Sequence, residues 1–91
     1  MDTDAKIKYL KQANKESRKR IMEFQLKYSL YSQAHLDGSL RGSQEWEDKV
    51  DSRIDSGIIT PEYAIHILEG TNKRQKGIEN LFERMEKSND L

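Results

Sequence analysis

The chain contains no cysteine, one proline and one tryptophan, and neither Gly nor Pro interrupts it before Gly38. The lack of cysteine excludes a disulfide framework and a thiolate metal site and points to the reducing cytoplasm. No apolar run approaches the roughly 20 residues that span a bilayer. The opening Met1-Asp2-Thr3-Asp4 is acidic where a signal peptide is basic and then apolar, so no membrane partner is expected. Hydrophobic residues form only 34% of the chain against the roughly 45–50% of ordinary globular proteins, while 35% are charged. A single domain spanning residues 1–91 is expected to have a thin core, completed by a long helical seam or a second copy. There is no Gly-rich phosphate loop and no nucleophile in a catalytic motif. Enzymatic activity, a cofactor and a small-molecule substrate are therefore not expected.

What the chain does have is periodicity. Ile7, Leu10, Asn14, Ser17, Ile21, Phe24, Tyr28, Tyr31 and His35 recur by threes and fours, the seam of a long helix over about 4–36. Asp2, Thr3 and Asp4 supply N-cap candidates. From Met22 a second row, with Leu26, Leu30 and Ala34, widens the apolar face. Asp37 to Gly42 reads as a loop, and Ser43 can cap a short helix over about 44–56 whose apolar row is Trp46, Val50 and Ile54. Beside that row, Glu47, Asp51 and Asp55 stack like charges at i+4, a repulsion that a basic neighbour would relieve.

Gly57 suits a left-handed helix stop. Thr60 as N-cap, Pro61 at N1 and an Ile59–Ala64 staple then start a third helix over about 61–87. Its seam is Ala64, Leu68, Thr71, Gln75, Ile78, Phe82 and Met85, with Gly70 and Gly77 as points of kinking or breakage. The turn Gly57-Ile58-Ile59-Thr60-Pro61-Glu62-Tyr63 resembles the helix-Gly-apolar-Ile-Thr-x-Glu turn of the short C-terminal SHOCT modules found on bacterial and phage proteins. That resemblance covers less than a quarter of the chain. Tyr63 falls one position early and the basic residues that should follow are missing, so it implies shared helix-turn grammar and no function.

Net charge is zero but unevenly spread: residues 6–27 carry +6 and residues 43–70 carry −5. The fold expected is all-α, an elongated helical hairpin or three-helix bundle. The hairpin would pair the long helices antiparallel, with the short one across the wide end; its rival is an up-down-up bundle. The coiled-coil-like seams are expected to pair within the chain, and a second copy, most simply in a homodimer, is expected to finish the core through Met22, Phe24, Leu26, Tyr28, Leu30, Tyr31 and Trp46.

Lys8, Lys11, Lys15, Arg18 and Lys19 form a basic face able to meet nucleic-acid phosphates or an acidic partner; its competitor is a solvated face that also pairs with the acids of the second helix. Glu47, Asp51 and Asp55 could dock on a basic protein surface as an acidic decoy. As metal ligands these three acids, and the lone His35 and His66, are poor candidates. A calcium loop around Gly57 would place Ser52, Ile54, Ser56 and Tyr63 at ligand positions, leaving almost no carboxylate, and a helix-turn-helix reading is opposed by the acidity of the second helix. The function expected is that of a self-associating, non-enzymatic accessory or inhibitory adaptor of the phage or mobile-element type, with a protein rather than nucleic acid as partner.

Overall fold

The computed structural model describes residues 2–28 and 44–88, which form three helices and no strand: α1 (Thr3–Tyr28), α2 (Gln44–Asp55) and α3 (Pro61–Lys87). Asp2 fills the first N-cap, its Oδ1 accepting the Ala5 N–H at 2.8 Å. The α2 stop is a Schellman turn: Gly57 takes φ +76°, its N–H donates to Ile54 O at 3.1 Å, and Ile58 N–H donates to Arg53 O at 2.9 Å. Thr60 then caps α3, its Oγ1 accepting the Tyr63 N–H at 3.1 Å with Pro61 in the first turn. Helix α3 runs unbroken through Gly70 and Gly77, because the buried row on its opposite face supplies the packing that their weak propensity lacks.

The long helices pair along their seams, but in parallel. Lys6 Nζ lies 3.3 Å from Glu69, Arg20 Nε 2.7 Å from Glu79 Oε1, and Lys27 Nζ 3.8 Å from Glu86, so both numbers climb together. Residues 6 and 27 are about 31 Å apart at 1.5 Å per residue, which no antiparallel pairing reconciles with these partners. The cause is α2. It runs antiparallel to α1, held by Lys11–Asp51 and Arg18–Glu47, and the short Gly57 turn therefore starts α3 beside the start of α1. The fold is the up-down-up three-helix arrangement, and α2 does not cross the wide end.

The molecule is elongated, with extents of 46 × 27 × 14 Å and a radius of gyration of 14.5 Å against about 12 Å for a compact chain of this length. Leu10, Ile21, Val50, Ala64, Leu68 and Phe82 are the buried apolar side chains among the described residues. Phe24 and Phe82 meet at 6.0 Å between ring centroids, with Met22, Ile78 and Met85 packed around Ile21 and Phe82. Between Leu10 and Ile21 the interface turns polar, with Asn14, Ser17, Thr71 and Gln75 all buried.

Candidate interaction surfaces

The polar middle is knitted by hydrogen bonds. Asn14 Nδ2 donates to Leu68 O at 3.3 Å and its Oδ1 accepts from Asn72 Nδ2 at 3.0 Å. Glu79, a buried carboxylate, accepts the Ser17 hydroxyl at 2.7 Å and meets Arg20 and Lys76 at 2.7 and 3.3 Å. Each of its partners is a donor, so the charge is well solvated by protein. The spacing of Glu79 places it on the edge of the α3 seam, where Ser17 and Arg20 of α1 meet it across the interface.

The α1–α2 interface takes two residues from each charged set read in the sequence. Arg18 is buried with Glu47, Nη1 to Oε1 at 3.4 Å, and Lys11 Nζ hydrogen-bonds both carboxylate oxygens of Asp51. This is the basic relief that the i+4 acids required. Burial pushes the Glu47 carboxyl above its ordinary value; Arg18 and Lys11 pull it partly back, while Asp51 and Asp48 add to the rise. Of the basic face, Lys8, Lys15 and Lys19 stay exposed; of the acidic row, Asp55 does.

The residues read as a self-association surface separate. Phe24 packs into the core cluster with Met22 beside it, and Trp46 lines a shallow groove with Ile67, Gly70, Thr71 and Arg74. Leu26 remains 55% exposed. Leu30 and Tyr31, the Tyr28 side chain, His35, Ser43 and the continuation of the first helix to residue 36 lie outside the described residues.

Four further large apolar residues are exposed, none of them among the interface residues expected from the sequence. Leu81 is 45% exposed near the end of the bundle that holds Leu26, Tyr9 is 61% exposed on α1, and Ile58 and Tyr63 are 71% and 54% exposed at the opposite end. Tyr63 also leans on the exposed His66, their rings 6.0 Å apart. The signal for Ile58 was present: it directly follows the Gly57 stop, outside both helical periodicities. At that end the start of α1, the end of α2 and the start of α3 converge, so exposed Asp2, Asp4, Asp55 and Glu62 lie at the same end as the two apolar side chains.

No helix among the described residues is long and apolar enough to cross a membrane. No family model, curated protein or solved structure matches the chain.

Proposed function

We propose that this chain is a non-enzymatic interaction protein that self-associates and presents charged helical surfaces to another macromolecule, as a small accessory or inhibitory adaptor does. The observation that carries the reading is an imbalance. Six apolar side chains are buried among the described residues while five large ones, Tyr9, Leu26, Ile58, Tyr63 and Leu81, are exposed. A core that small leaves a short domain near marginal stability, and burying exposed aliphatic and aromatic side chains between copies supplies about 25 cal/mol per Å². A protein partner is favoured over nucleic acid, because Arg18 and Lys11 are taken up internally and three well-spaced lysines remain on that face.

The test is light scattering combined with thermal melts across a concentration series. Self-association predicts a mass above one chain at tens of micromolar and a melting temperature that rises with concentration. A single-chain mass with a concentration-independent melt overturns it.

A further inference from the structure

We infer that copies associate head to side: the acidic, apolar-tipped end of one molecule docks on the basic face of α1 of the next, giving open chains rather than a two-fold dimer. This rests on the self-association proposed above. Two surfaces carry the inference.

The first is the end where all three helices converge, which carries exposed Ile58 and Tyr63 and the exposed acids Asp4, Asp55 and Glu62 against one exposed cation, Arg53. None of these acids is in an ion pair among the described residues. The second is a stripe along α1 formed by Lys8, Lys15, Lys19 and Leu26. Steps of seven, four and seven residues keep them on one side of the helix, and all four are exposed. These lysines likewise have no ion-pair partner among the described residues.

The surfaces complement each other in both respects. Each combines an apolar element with charge, and the charges are opposite. Neither suits itself: stripe against stripe opposes lysines, and end against end opposes carboxylates, and such like-charge juxtaposition disfavours the contact. A self-complementary two-fold contact through either surface is thus disfavoured, while the end-to-stripe contact satisfies both. Because each copy carries one of each, the contact is heterologous and repeats unless it closes into a ring.

The test uses two variants of the full chain. Asp55→Lys/Ile58→Lys blocks the end and keeps the stripe; Lys19→Glu/Leu26→Glu blocks the stripe and keeps the end. All four positions are exposed, so circular dichroism should report unchanged helicity. Milder Asp55→Asn/Ile58→Ser and Lys19→Gln/Leu26→Gln pairs substitute if it does not. The wild type is expected to grow past the dimer with concentration. Each variant alone should sediment as a 10.7 kDa monomer, and a 1:1 mixture should saturate at twice that mass. Either variant dimerising alone, or the mixture staying monomeric while the wild type associates, overturns the head-to-side contact and leaves self-association standing. A wild type that is monomeric throughout overturns both.

Discussion

Glu47 shows how a single residue can belong to an ion pair and still be an electrostatic burden. Its carboxylate is nearly enclosed by α1 and α2, and Arg18 offers one cation at 3.4 Å, longer than a strong charge-assisted hydrogen bond. Burial outweighs that help, and the carboxyl is raised above its ordinary value of 4.5. For an acid raised in the folded state, the folded form holds its proton longer than the unfolded form does. The group's contribution to stability is thus greatest below the ordinary value and is lost as pH climbs through the raised one. Glu47→Gln should match the wild type in denaturant melts near pH 4 and become the more stable of the two toward neutrality. Arg18→Met behaves oppositely, since it leaves a buried carboxylate without its nearest cation. A loss of about 3 kcal/mol at neutral pH is expected, the lower end for breaking a buried pair, because Glu47 can take up a proton instead. Equal losses for the two variants at neutral pH would contradict this asymmetry.

Among the elements, the helix faces were legible in the sequence and the helix direction was not. Leu10, Asn14, Ser17 and Ile21, and Ala64, Leu68, Thr71, Gln75 and Phe82, are buried as their periodicity required. Direction failed because charge pattern and polar middle are degenerate. Acids at both 69 and 86 allow Lys6 a partner in either sense, and Asn14/Ser17 meets Thr71/Gln75 either way. What breaks the degeneracy is the row Lys11, Arg18 and Gln25. It repeats every seven residues, and its first two members face α2, Lys11 meeting Asp51 and Arg18 meeting Glu47, while Arg18 and Gln25 are buried. Spin labels at Lys6→Cys and Glu69→Cys are therefore expected within about 20 Å. Labels at positions 6 and 86 should lie farther apart, since 17 residues of α3 add about 25 Å. Comparable distances for both pairs would refute the parallel register. The glycines of α3 allow a second test of the same element. A Cβ at Gly70 or Gly77 meets nothing within 4 Å, so each Gly→Ala exchange should stabilise by up to about 1 kcal/mol, or roughly 4–8 °C in a chain of this size. A loss at Gly70 would show that its open side is occupied in solution, beside the Trp46 groove.

Seen as a whole molecule, a chain of zero net charge pairs part of its charge internally and leaves part of it exposed. Internal pairing consumes Lys6, Lys11, Arg18 and Arg20 against Glu69, Asp51, Glu47 and Glu79. Among the charges left exposed, Asp4, Asp55 and Glu62 outnumber Arg53 at the end where the helices converge, while Lys8, Lys15 and Lys19 line one side of α1. Salt separates the two forces available for assembly, because they respond with opposite signs. Charge attraction between exposed groups weakens as the Debye length falls from about 10 Å at 0.1 M to about 3 Å at 1 M. Apolar burial is instead held or strengthened by salts excluded from the protein surface, such as sulfate. The fold itself should change little, since its buried pairs are screened far less and its exposed ones, such as Lys27–Glu86, contribute at most about 1 kcal/mol each. Sodium chloride raised toward 1 M should shift the wild type from larger species to monomer with helicity intact. Assembly that grows with salt would assign the contact to Leu26, Leu81 and the other exposed apolar residues alone, with the charges as bystanders.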